Sequence, residues 1–140
     1  MIAAARVFAA ITAESIAQAG AGVTLPQLRV LVLAADRDRL SATDVAHALA
    51  VHLSTASRIC DKLVQAGYLN RRDRPEDRRQ LELTVTERGT GLLAAVTDHR
   101  RAVFERILGG MGPDERAALT DALDTFVAAS VPQVGLPDLP

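Results

Sequence analysis

Two short apolar runs, Gly67-Tyr68-Leu69-Asn70 and Leu81-Glu82-Leu83-Thr84-Val85, flank a stretch that no folded core accepts: Arg71-Arg72-Asp73-Arg74-Pro75-Glu76-Asp77-Arg78-Arg79. The second run alternates apolar and polar residues with the period of a half-buried strand. Together the runs predict a two-stranded hairpin whose turn is long, exposed and crowded with guanidinium groups. Gathering five arginines on one loop adds little stability, because like charges repel and surface ion pairs are weak. Such a cluster suits a phosphate backbone or the electronegative floor of a minor groove.

The segments before the hairpin carry helix signals. Ile2 to about Gln18 is Ala-rich and closed by Gly20-Ala21-Gly22. Thr24 is placed to cap a second helix, with Pro26 in its first turn and Gln27 completing a capping box. Leu28, Leu31, Val32 and Ala35 keep helical spacing there until Asp36-Arg37-Asp38-Arg39. Ser41 and Asp44 form a second capping box and open a short helix to Ala50. After the turn Val51-His52, a longer helix runs from Leu53 to Ala66 and stops at Gly67. Beyond the hairpin, Thr86 can cap a long helix from Glu87 to about Leu108. Asp114 and Glu115 open a last helix to about Ala129, and the tail Val131 to Pro140, with three prolines, reads as extended.

Two short helices joined by a tight turn and followed by a basic hairpin describe a winged helix-turn-helix, in a chain that is mainly α with a small β-hairpin wing. On a helical wheel Ala56, Cys60, Leu63 and Gly67 share one side of the Leu53–Ala66 helix. Ser54, Thr55, Arg58, Asp61, Lys62 and Gln65 share the other, with Ser57 at its margin. The second set begins with short hydroxyls and an arginine, groups that hydrogen-bond base edges and phosphates. Arg58 is the best single candidate for a base contact, bidentate to a guanine. A merely solvated basic face is the competing reading, and the neighbouring hairpin weighs against it.

Charge supports this locally rather than globally. The net charge of the 140 residues is −1, but His52 to Arg79 holds seven basic and four acidic residues, a local +3. With 49% apolar residues but only three Phe, one Tyr and no Trp, the core must be built from Ala, Leu and Val. Cys60, the single cysteine, excludes an intramolecular disulfide and suits a reducing compartment. Arg6 and Glu14 interrupt the apolar Met1-to-Ala19 run, which also lacks a basic leader, so a cytoplasmic, soluble protein without membrane association is expected. There is no glycine-rich phosphate loop or nucleophile elbow, so no enzyme and no cofactor is expected. His47, His52 and His99 are scattered without ligand spacing, so no metal is expected either.

Several stretches taken together resemble the MarR family of winged-helix transcription regulators: Ser41-Ala42-Thr43-Asp44-Val45-Ala46, Ser54-Thr55-Ala56-Ser57-Arg58, Leu63-Val64-Gln65-Ala66-Gly67-Tyr68-Leu69, Pro75-Glu76-Asp77-Arg78-Arg79 and Leu83-Thr84-Val85-Thr86-Glu87-Arg88-Gly89. The resemblance implies a homodimer in which an N-terminal helix (1–22) and C-terminal helices with the tail (87–140) interlock, around a winged region (23–86), as one intertwined domain. It implies that Ser54, Thr55, Ser57, Arg58 and Lys62 face consecutive major grooves of a pseudopalindromic operator on double-stranded DNA. Arg79 would enter the minor groove, oriented by Asp77, with Arg74 and Arg78 near phosphates and Arg72 at the base of the wing. The chain departs from the family where Gly and then Ser commonly stand before the recognition helix; here Ala50 and His52 stand there, and histidine is a weaker N-cap.

The resemblance further implies a repressor released by a small aromatic or phenolic effector, held between the dimer helices and the winged region. Arg6, Arg29, His99, Arg100 and Arg101 are the residues that can border such a crevice and meet a carboxylate. His99 falls on the Leu92, Val96, Val103 stripe, which suggests a hydrogen-bonded place in the dimer interface. A redox-responsive regulator acting through Cys60 is an alternative, but Cys60 lies on the apolar stripe and the family's peroxide sensors carry their cysteine in the first helix. A winged dimer used only for protein–protein contacts is the rival from another class, disfavoured by the basic residues this chain keeps.

Overall fold

The computed structural model describes residues 1–20, 22–37, 39–73 and 81–134, which form six helices and one hairpin. Helices α1 (Ile2–Gln18), α2 (Leu25–Asp36), α3 (Ala42–Leu49) and α4 (Leu53–Gln65) precede strands β1 (Leu69–Asp73) and β2 (Leu81–Val85). Helices α5 (Glu87–Gly109) and α6 (Pro113–Val134) follow. The chain divides into one unit ending at Arg101 and a second beginning at Ala102.

Local hydrogen bonds start the helices where the sequence placed their caps. Thr24 N donates to Gln27 Oε1 at 2.7 Å while Gln27 N donates to Thr24 Oγ1 at 3.4 Å. At α3, Ser41 N donates to Asp44 Oδ2 at 2.8 Å and Asp44 N donates to Ser41 Oγ at 3.2 Å. Each box satisfies N–H groups that a helix leaves open at its start. At α5, Gly89 N donates to Thr86 Oγ1 at 3.0 Å, and the same hydroxyl donates to Gly67 O at 2.7 Å. Thr86 thus starts α5 and ties it to the end of α4.

The core of the first unit gathers Leu31, Leu40, Val45, Ala56, Cys60, Leu63, Leu69 and Leu83, all 2% exposed or less. Each fully buried leucine stabilises the fold by roughly 1.5–3 kcal/mol. Helix α2 is more deeply embedded than one amphipathic stripe implies. Val30, Leu33 and Ala34 are buried beside Leu28 and Leu31, whereas Val32 is half-buried and Ala35 exposed. The reason is that α2 packs against α3, α4 and β2 at once.

The hairpin pairs β1 and β2 antiparallel, with Leu69 opposite Val85 and Arg71 opposite Leu83. Leu83 N donates to Leu40 O at 2.8 Å, so the segment before α3 borders the hairpin's other edge. Tyr68 is buried at its base under the Arg88 guanidinium, 5.0 Å from the ring centroid.

Between α3 and α4, Ala50 takes a left-handed conformation (φ 53, ψ 46), and its N–H donates to His47 O at 3.2 Å. Here the departure from glycine has a backbone consequence, since an L-residue in this region costs about 1–2 kcal/mol. Ala50→Gly removes that cost but loosens the unfolded chain by about 0.4–1 kcal/mol. The expected net effect is a gain of roughly 0.5–1 kcal/mol, read from urea midpoints at constant slope. A lower midpoint would mean that the Ala50 methyl group contributes packing.

The extended tail expected from Val131 onward needs correction, because α6 continues through Pro132 to Val134. Pro132 forfeits one N–H bond and crowds the carbonyl four residues back, a disruption the helix absorbs because only two residues follow it. Residues 135–140 lie outside the described residues. Within the second unit, Leu119, Leu123, Phe126 and Val127 of α6 are exposed.

Candidate nucleic-acid interface

Helix α4 is strongly one-sided. Ala56, Cys60 and Leu63 are each 0% exposed, while Ser54, Thr55, Arg58, Lys62 and Gln65 lie exposed and Ser57 is half-buried. The polar set therefore forms an open face along the helix, as its spacing predicts. His52 precedes it in extended conformation without a side-chain cap bond. No side chain of the N-cap closes the first turn, so the positive end of the helix dipole stays open to an anion.

At the hairpin, Arg72 stands exposed, opposite Glu82 in the register. The Glu82 carboxylate lies 3.8 Å from Arg39 Nε rather than at Arg72. The remaining wing residues named from the sequence, Arg74, Asp77, Arg78 and Arg79, lie outside the described residues. Among the described residues a polar contact joins α4 to the hairpin, and sequence reading missed it: Arg71 Nη2 donates to Asp61 Oδ1. The two residues are ten apart and meet only once β1 folds back on α4. The one hint in the sequence is a carboxylate in the middle of an otherwise basic face.

Beneath this pair lies Cys60. Burial pushes its thiol up from 9.0 to about 11, with Arg71 lowering it and Asp61 raising it. A thiol held neutral and covered is a poor nucleophile. Cys60 is therefore expected to resist a disulfide reagent near pH 8 in the folded protein and to react fully in urea. Fast labelling of the native protein would overturn the core-filling role. The unfolded chain releases this proton at lower pH than the folded one, so the thiol's contribution to stability falls as pH rises from 9 towards 11.

The residues named for an effector do not converge. Arg29 Nη2 donates to Ala48 O, 3.4 Å away at the end of α3. Arg6 lies exposed on α1. His99 Nε2 lies 3.7 Å from Glu14 Oε1 on α1, and among the described residues neither it nor Arg100 Nε has a hydrogen-bond partner. Within the chain itself, the charge facing His99 is Glu14 of α1. A groove of about 840 Å³ between α1 and the start of α2 is lined by Phe8, Thr12, Ile16, Gly20, Val23 and Leu25, among others, and by none of these cations. Its one polar side chain, Thr12, donates to Phe8 O at 2.9 Å.

Comparison with known proteins agrees with this geometry. A model of the MarR family matches residues 23–81, from the residue before the α2 cap to the start of β2. The crystal structure of RV1404 from Mycobacterium tuberculosis is 37% identical and superposes with a TM-score of 0.87, covering 99% of this chain and 92% of that one. The chain belongs to the MarR family. It is 30% identical to the HTH-type transcriptional regulator TtmR of Methylorubrum extorquens, over 84% of this chain and 60% of that protein. It spans from 60% to 67% of the length of the first four curated relatives it matches. A structure of Bordetella bronchiseptica BpsR, whose DNA binding is regulated by 6-hydroxynicotinic acid, is 25% identical with a TM-score of 0.57, covering 87% of this chain and 88% of that one. The observed winged helix-turn-helix is the fold of that family.

Proposed function

We propose that this chain binds double-stranded DNA as a homodimer, reads a pseudopalindromic operator with α4 in successive major grooves, and represses transcription until a small molecule releases it. The observation that carries the reading is the one-sided α4. Its buried face fixes the helix on the core, and its open face presents Ser54, Thr55, Arg58 and Lys62 from the N-terminal end onward. Residues at that end are the ones that reach base edges in this motif. Arg72 extends the cationic surface to the hairpin, where Arg74, Arg78 and Arg79, oriented by Asp77, would meet phosphates and the minor groove.

Exposed apolar surface supports the dimer. Ile2, Val7 and Phe8 of α1 and Leu119, Leu123, Phe126 and Val127 of α6 are large side chains left in water. The α1 groove offers no charged side chain, so it suits the helix of a second copy better than a carboxylate. Repression follows from occupancy, since a dimer seated on promoter DNA excludes other proteins. Release by an aromatic acid is supported by BpsR alone, with Arg6, Arg29, His99 and Arg100 as the cations available.

The test is a binding assay on the intergenic duplex beside its own gene, at two salt concentrations, with random duplex as competitor. Tight, salt-dependent binding that survives the competitor is expected, at half-sites about 10 bp apart. Binding abolished by random duplex would favour a winged dimer that contacts proteins instead. Sedimentation equilibrium is expected to give a dimer.

A further inference from the structure

On α4, Asp61 stands three residues after Arg58, the spacing at which a carboxylate and a guanidinium on one helix meet. Unoccupied, Asp61 would draw the Arg58 side chain back along the helix, away from anything docking on the open face. Arg71 takes that carboxylate instead. Among the described residues Arg58 has no ion pair. The strand carrying Arg71 is well anchored. Arg71 stands opposite Leu83, which is 2% exposed and bound through its N–H to Leu40 O. Cross-strand partners share a face of the sheet, so Arg71 rises from the same face as a core leucine and stands beside α4. The Asp61–Arg71 pair is itself half-exposed, with side chains 46% and 35% accessible, so it contributes little to folding. Its consequence lies in where it leaves the other charges.

We propose that Arg71 is a positioning residue for base recognition: by engaging Asp61 it keeps the Arg58 guanidinium free to reach a base edge. The proposal rests on the DNA-binding reading above. It also accounts for a carboxylate on a helix face that meets phosphates, since the pair presents no net charge to them.

The experiment is selection from a duplex library with a randomised core, using the full chain as parent, Arg58→Ala, Arg71→Gln and the double variant Arg71→Gln/Asp61→Asn. The parent is expected to enrich a two-fold motif, and Arg58→Ala to lose preference at one base pair per half-site. Arg71→Gln is expected to lose preference at that same base pair by roughly fivefold or more, because Asp61 now captures Arg58. The double variant, with no carboxylate left to do so, regains it. If Arg71→Gln keeps the preference and only lowers the salt dependence of binding, Arg71 is a plain phosphate contact and the proposal is overturned. Loss without recovery in the double variant overturns it equally. If Arg58→Ala matches the parent, the assignment of Arg58 and this proposal fail while DNA binding stands. A parent that enriches no motif overturns the DNA-binding reading itself.

Discussion

Gly89→Ala is expected to destabilise the first unit by about 3 kcal/mol, which lowers its melting temperature by roughly 12–15 °C. Gly89 is buried in the first turn of α5, where a Cβ would stand 2.4 Å from Tyr68 O and 2.7 Å from Val85 Cγ2. Neither neighbour can withdraw cheaply. Tyr68 O is backbone and accepts a hydrogen bond from Thr86 N at 3.1 Å, and Val85 belongs to the paired strand β2. Moving α5 outward instead would break the Gly89 N to Thr86 Oγ1 bond that starts it. Against this stands the helix-propensity gain of alanine over glycine, about 1 kcal/mol, which is too small to offset the clash. Gly91, two residues on, isolates that gain: a Cβ there meets nothing within 4 Å and the position is exposed. Gly91→Ala is therefore expected to stabilise by roughly 0.5–1 kcal/mol. Thermal and urea unfolding followed by circular dichroism read both variants. Parent-like unfolding of Gly89→Ala would mean that the hairpin and α5 are not held as closely as the geometry requires.

The contrast between the two glycines shows which parts of this fold are legible in sequence. The starts of α2, α3 and α5 were readable because Thr24 with Gln27, Ser41 with Asp44, and Thr86 with Gly89 act within three residues of chain. The buried stripe of α4 was readable because Ala56, Cys60 and Leu63 recur at helical spacing and the opposite face is polar throughout. Helix α2 was read less well. Its burial depends on packing against several elements, and a single stripe cannot describe a helix enclosed from more than one side. The close approach of Gly89 to Tyr68, and of Arg71 to Asp61, depends on how the hairpin folds back, which no local pattern encodes. The same holds for the candidate site. The α4 residues proposed to face DNA follow from its wheel, whereas the proposed role of Arg71 rests on a contact visible only in three dimensions. Effector residues were the least legible, because long cations on amphipathic helices find local partners. Arg29 reaches the Ala48 carbonyl and His99 lies near Glu14, and neither use leaves a distinctive sequence trace.

Arg58→Ala is expected to cost on the order of 1–3 kcal/mol in operator affinity and to relax preference at one base pair per half-site. Two features set Arg58 apart from the other cations on α4 and the hairpin. It stands in the second turn of α4, one turn after Ser54 and Thr55, near the helix end from which this motif reads bases. Its charge is also free of any ion pair among the described residues, so binding DNA breaks no interaction to recruit it. Lys62, a further turn along, is expected to meet the backbone. Lys62→Ala should therefore weaken all sequences alike and reduce the salt slope by about one. Arg58→Lys separates the two kinds of contact. Lysine keeps the positive charge, and with it the salt slope, but cannot form the paired, planar hydrogen bonds that a guanine edge accepts from a guanidinium. Discrimination should thus collapse in Arg58→Lys nearly as far as in Arg58→Ala, while binding to random duplex stays close to the parent's. If Arg58→Lys instead retains full discrimination, Arg58 acts as a point charge on phosphate, and base reading must come from the hydroxyls of Ser54 and Thr55.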